Sequence, residues 1–211
     1  MACAICQTRR PRRFCPGLSG EICSVCCGTE REVTVSCPLD CEYLREARKH
    51  DKPLSLEGIE IPNKDLRITE AELLDREELL AFVATCVLRA AFRMPGVVDH
   101  DIREALDALI RTYRTLQSGV YYETRPTNPL AAGVCAIVQS ELAEYRKEET
   151  RSGITRTRDS DVLRILVFLQ HLELDRNNGR QRGRAFLDAL RWYYPAEAGP
   201  PKPAASSLIL P

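Results

Sequence analysis

From residue 68 onward, apolar residues recur every three or four positions, the period of a helix that buries one face. Ile102, Ala105, Leu106, Leu109, Ile110, Tyr113 and Leu116 show it most cleanly, with charges between them and Gly119 as a stop. Upstream, Thr69 followed by Glu72 forms a capping box, and Ile68 with Leu73 fits a hydrophobic staple. That pattern predicts one helix continuing through Leu79, Val83 and Val87 to about Phe92, ended by Pro95-Gly96. Asn128-Pro129 opens a third helix to about Glu149, because Asn caps and Pro suits the first helical position. A fourth, Ser160 to Asp175, is apolar on most of its circumference, which predicts a central, buried position. Asn177-Asn178-Gly179 ends it, and a fifth runs to about Tyr194 before Pro195.

The first fifty residues lack this period. Arg13-Phe14 and Glu32-Val33-Thr34-Val35-Ser36 alternate with period two and read as short strands. Gly17, Gly20 and Gly28 supply turns, and Asp40 is placed to cap a helix over Cys41–His50. The predicted organisation is a cysteine-rich module (1–50), a linker (51–67), a helical bundle (68–195) and a disordered Pro/Ala/Ser-rich tail (196–211). The fold class is mainly α: a small cysteine-rich N-terminal module followed by an all-α bundle of four to five helices. The linker's apolar residues are expected to lie against one of the two domains.

Composition narrows the function classes. Apolar residues make up 44% and charged residues 28%, which suits a soluble globular chain. Lys+Arg and Asp+Glu balance at 30 each, so only local patches could attract nucleic acid or membrane. No apolar run is long enough to span a bilayer, and no secretory leader pattern precedes the module. A cytoplasmic location is therefore expected, where thiols stay reduced.

In that compartment the ten cysteines need a reason other than disulfides. Eight fall between Cys3 and Cys41. Cys3/Cys6 and Cys23/Cys26 are C-x-x-C pairs, a spacing whose tight turn lets two thiolates face one ion. They predict one four-thiolate zinc site. Cys15, Cys27, Cys37 and Cys41 remain for a second, giving two interleaved Zn²⁺ ions per chain. Cys26 and Cys27 can exchange roles in this scheme, and His50 can replace a thiolate in the second site. A disulfide framework, an iron–sulfur cluster and a redox C-x-x-C are the competing readings. They lack, respectively, an export signal, the ferredoxin cysteine run and a βαβ context.

The C-x-x-C pair, then Phe14-Cys15-Pro16, then Cys23-Ser24 followed by Cys26, resembles HIT-type cross-brace zinc fingers, with MYND and B-box modules as looser relatives. Cys15-Pro16 is followed by Gly17-Leu18 rather than a second cysteine, and Cys27 stands in for it. The resemblance covers the first fifth of the chain and implies protein–protein contacts within larger assemblies.

The bundle offers little chemistry. His171 reads as a hydrogen-bonded core histidine, His100 as a solvated helix start, and Cys86 and Cys135 as small hydrophobes. No nucleophile, phosphate-loop or metalloprotease motif is present, so no enzyme is expected. Two arginine clusters remain: Arg9, Arg10, Arg12 and Arg13, and Arg176, Arg180, Arg182 and Arg184. Arginine's planar fork suits phosphate, and Trp192, Tyr193 or Tyr194 can stack on bases unless Trp192 belongs to the core. The expected function is a zinc-stabilised interaction or adaptor protein with a protein partner. Nucleic-acid binding through the arginines is the alternative, and a redox-responsive zinc switch a third reading.

Overall fold

The computed structural model describes residues 2–51, 58, 60–66, 68–153 and 156–195. The tail predicted at 196–211 and most of the linker's first half lie outside them.

Near the N-terminus a hairpin forms from β1 (Arg13–Cys15) and β2 (Gly20–Ile22), antiparallel with Phe14 opposite Glu21. The first knuckle lies along it, the Ala4 amide donating to the Glu21 carbonyl at 2.9 Å. Two short helices follow, α1 (Ser24–Thr29) and α2 (Glu42–Arg48). The Glu32–Ser36 strand expected from alternation is not formed. Residues 30–35 fold instead into a tight turn in which the amides of Val33, Thr34 and Val35 all donate to the Glu30 carbonyl. Only an isolated bridge, Arg31 with Val35, survives of the pattern. Nor does Asp40 cap α2: Cys41 is the capping residue, without a side-chain bond, and Asp40 pairs with Arg191 at 2.5 Å.

The remainder is helical, as the periodicity requires: α3 (Glu70–Asp75), α4 (Glu77–Arg93), α5 (Asp99–Gln117), α6 (Pro129–Arg151), α7 (Asp159–Arg176) and α8 (Ala185–Tyr193). The helix expected from 68 to 92 is broken at Arg76, whose Nε reaches back to Asp161 at 2.8 Å. The capping box holds: Glu72 N donates to Thr69 Oγ1 at 3.3 Å and Thr69 N to Glu72 Oε2 at 3.0 Å. Asn128 caps α6 through the Leu130 amide and donates to Asp101 at 2.6 Å, tying the start of α6 to α5.

Helices α5 and α7 pair at the centre, with α6 against α4 and α5, and α8 closing on α4 and α7. Their buried faces share one core, including Leu88, Leu106, Leu109, Leu163, Leu166 and Phe186. Residues 60–66 run along the outside of α5 and α7. Leu66 packs against the core, Asn63 donates to Gln170 at 2.7 Å, and Arg114 holds Asn63 and Asp65. This second half of the predicted linker is therefore part of the bundle's surface.

Candidate metal centre

The first knuckle turns tightly: Gln7 N donates to Cys3 O at 2.8 Å, and Gln7 takes a positive φ of 55°. Cys23 follows β2 directly and caps α1, and Cys26 sits one turn later. The ligand atoms of Cys3, Cys6, Cys23 and Cys26 all lie within 4.8 Å of one another. Four sulfurs around one zinc in tetrahedral geometry would be about 3.8 Å apart, so a small contraction closes this set on an ion. Cys3, Cys23 and Cys26 are buried, and all ten cysteines of the chain are free thiols.

The electrostatics of the four sulfurs pull in opposite directions. The Thr8 hydroxyl, with the amides of Arg9 and Thr8, holds Cys6 down to about 5. Burial raises Cys3, but amides of Cys6, Cys23 and Ile5 outweigh it and its thiol falls below the usual range. Cys26 is pushed up to about 12 by burial and by its three sulfur neighbours. Some sulfurs are thus prepared to be anionic while a full set of four thiolates is opposed by mutual repulsion. A divalent cation at the centre removes that opposition, because it becomes the largest local charge. The donor set fits zinc: four soft sulfurs and a nearly closed shell.

The other four cysteines converge elsewhere. Cys15 ends β1, Cys27 lies on α1, and Cys37 and Cys41 precede α2. All four line one cavity of about 20 Å³, room for a single atom-sized occupant. Their sulfurs are less tightly gathered. Among the described residues only the first set brings its ligand atoms within 4.8 Å. Burial raises the Cys37 thiol, partly offset by the Glu32 backbone, and the charges of Glu32, Cys41 and Cys15 raise it further. Cys26 belongs to the first set and also borders the cavity, which Cys27 lines. His50 is exposed beside Glu46 and does not line the cavity. Gly17 is required where the hairpin turn meets this region, since a Cβ there would lie 2.6 Å from the Ser36 carbonyl oxygen.

The arginine clusters are largely engaged within the molecule. The Cys23 and Cys6 sulfurs near Arg9 raise its guanidinium above the usual range. Arg13 donates to Cys27 Sγ at 3.5 Å while its guanidinium lies 4.4 Å over the Tyr43 ring. Arg10 and Arg12 are exposed. In the second cluster, Arg180 Nη1 donates to the Arg31 carbonyl and Arg182 Nη1 to Ser36 Oγ, both at 2.8 Å. The Arg184 amide donates to Glu32 Oε1 at 3.0 Å, and Arg176 pairs with Asp175. Three of these four arginines therefore hold the cysteine-rich module against the bundle. Gly183 lets their loop fold on itself, because a Cβ there would strike Asn178 Oδ1.

Sequence reasoning missed the centre of that contact. Glu32 is fully buried and its carboxylate accepts from Arg48 Nη2 and Asn178 Nδ2, each at 2.7 Å, as well as from Arg184. Arg48 also pairs with Asp188 of α8. Nearby, Asp99 accepts the amides of Phe186 and Leu187 at the start of α8, yet burial pushes its carboxyl up to about 7. The arginine cluster did not mark it, since Arg184 reaches Glu32 through its backbone amide while the guanidinium groups of Arg180 and Arg182 bind the Arg31 carbonyl and Ser36 Oγ.

In the bundle, His171 Nε2 meets the Pro62 carbonyl oxygen at 2.7 Å, a hydrogen-bonded structural histidine. Burial pushes both bundle thiols up to about 12, that of Cys86 with help from Glu141 although its sulfur accepts from Arg89, so both are poor nucleophiles. Trp192 is not a core residue: it is 76% exposed and meets Tyr193 edge to face. Among the described residues no helix is long and apolar enough to cross a membrane. Compared with protein-family models, curated proteins and solved structures, the chain matches none of them.

Proposed function

We propose that this chain is a zinc-stabilised interaction protein, in which two structural Zn²⁺ ions set the shape of an N-terminal module carried on a helical bundle. The carrying observation is the gathering of Cys3, Cys6, Cys23 and Cys26 within 4.8 Å. Cys15, Cys27, Cys37 and Cys41 would hold the second ion, supported by their common cavity. The alternation of the two cysteine sets along the chain supports a cross-brace finger of the HIT type. Four thiolates fill a zinc's coordination sphere, so neither site offers a position for water or substrate, and no catalytic role is assigned. What the module offers a partner protein is a fixed surface, on which Phe14, Leu18 and Val25 are exposed. A reducing compartment, the cytoplasm, suits such sites.

Elemental mass spectrometry of the purified, reduced protein tests this. Two zinc per chain is the expected result; one zinc confines the reading to Cys3, Cys6, Cys23 and Cys26, and none removes it. Cobalt substitution adds a thiolate count through its visible absorption. A partner captured by the wild type should be lost by a Cys3→Ser, Cys6→Ser variant. Nucleic-acid binding is the rival, and it now rests on Arg10 and Arg12 of the first cluster. Affinity that falls steeply with salt and disappears in Arg10→Glu, Arg12→Glu would establish it instead.

A further inference from the structure

The polar contacts that dock the module on the bundle come from residues 31–48, Asp40 with Arg191 among them. Arg31, Glu32 and Ser36 lie between Cys27 and Cys37, and Arg48 ends the helix that follows Cys41. Of the second cysteine set, Cys27 therefore precedes the docking stretch and Cys37 and Cys41 lie within it, while the first set lies outside it.

The Glu30–Val35 turn is held by the amides of Val33, Thr34 and Val35 on the Glu30 carbonyl, but the placement of the Glu32 side chain depends on what lies around it. Glu32 takes a left-handed backbone, φ 53°, a conformation that side-chain-bearing residues adopt only when their surroundings impose it. Its amide donates to Val35 O at 3.1 Å while its carbonyl accepts from Arg182 N at 2.8 Å. The carboxylate is 1% exposed and depends on partners from both sides, Arg48 from the module and Asn178 and Arg184 from the bundle. A buried carboxylate is tolerated only with its full set of partners in place. Displacing the loop leaves that charge dehydrated and unmatched. Release of the loop into water is therefore the alternative to the docked contact.

Resting on the two-zinc reading above, we infer that metal at Cys15, Cys27, Cys37 and Cys41 controls the docking of the module on the bundle, with Glu32 as the connecting residue. An ion there ties the start of the Glu32 loop, through Cys27, to its end, through Cys37, and fixes the entry to the Arg48 helix through Cys41. Loss of that ion frees all three. By linkage the effect is reciprocal: whatever docking adds to metal affinity, metal adds to docking.

Hydrogen exchange on the full chain, with metal content measured on the same samples, decides the matter. The reporters are the amides of Arg182 and Arg184, both bonded to Glu32; amides within α5 and α7 report the bundle's integrity. Stripping the metal with a chelator is expected to speed exchange at the two reporters by about tenfold or more, with α5 and α7 unchanged. Metal removed with the reporters still slow would overturn the inference and leave the zinc reading intact. Protein that never held metal would overturn both. Cys37→Ser should retain one zinc and show fast reporters; one zinc with slow reporters counts against it. Glu32→Gln carries the reciprocal half: at saturating zinc it should bind both ions, exchange faster at the reporters, and show zinc affinity lowered by the same factor. Unaltered affinity in that variant would dissolve the coupling without touching the metal sites.

Discussion

The two halves of this molecule reach order by different routes. Among the described residues of the bundle, thirty buried apolar residues, all but Val97 from five helices, form one core. Polar groups inside it are paired: Glu173 with Arg103, Asp161 with Arg76, Gln170 with Asn63. The module's own cluster holds eight buried residues, and five of them are cysteines. Ile22, Val35 and Leu44 are the rest. An apolar interior of that size cannot offset the entropy of ordering some fifty residues, which is the usual situation of small domains that lean on metal or cross-links. The difference teaches that solvent exclusion explains the bundle, whereas the module's small interior is made mostly of thiols able to ligate a metal. The surface between them belongs to neither account, since it is built from charge.

The largest effect that would separate the halves is metal removal. Binding of structural zinc by small modules is worth roughly 10 kcal/mol. Chelation should therefore abolish protection throughout residues 2–48 while helical circular dichroism from the bundle stays nearly constant. Concerted loss of both would show that the halves are not energetically distinct. Next comes Glu32→Ala, which leaves Arg48 beside Asp188 alone and strands Asn178. About 3–5 kcal/mol should be lost, read by chemical denaturation, because one member of a buried ionic set has been removed. Leu166→Ala probes the opposite half. Its side chain is wholly buried, so a loss of about 3 kcal/mol is expected with zinc content unchanged. A fall in bound zinc in that variant would mean the bundle shapes the metal sites. The smallest is Thr69→Ala, which removes the cap of α3. It should cost about 1 kcal/mol, seen as a slight shift in thermal midpoint, since the cap is exposed and α3 is short.

The same division governs what could be read from the residues alone. Helical periodicity is a local signal, and α5, α6 and α7 appear within a few residues of where it puts them. Caps are equally local, so the Thr69–Glu72 box and Asn128-Pro129 were legible. The C-x-x-C pairs were legible because two thiolates facing one ion impose a short spacing. The break at Arg76 was not: the apolar run is continuous through it, and the break coincides with an ion pair to Asp161, 85 positions away. Glu32 was hidden for the same reason. In Glu-Val-Thr-Val-Ser the alternation resembles a strand with its acid in water, and the partners that bury that acid lie 146 and 152 positions downstream. The arginines beside Asn177-Asn178 were visible as a cluster, but a cluster does not say whether its anion is external or already part of the chain.

That long separation has a consequence for the order in which the molecule is made. Synthesis runs from the N-terminus, and segments fold as they emerge. The cysteine pairs are complete once residue 41 has left the ribosome, so metal can be acquired early. The seat for Glu32 does not exist until Arg184 has followed, after almost the whole bundle. A nascent chain therefore passes through a long interval in which a finished finger carries its acidic side chain in water, tethered to a bundle still missing its last helix. Closure of the two halves therefore comes late in biogenesis, and a chain truncated before Asn178 would keep its cysteines but have no seat for Glu32.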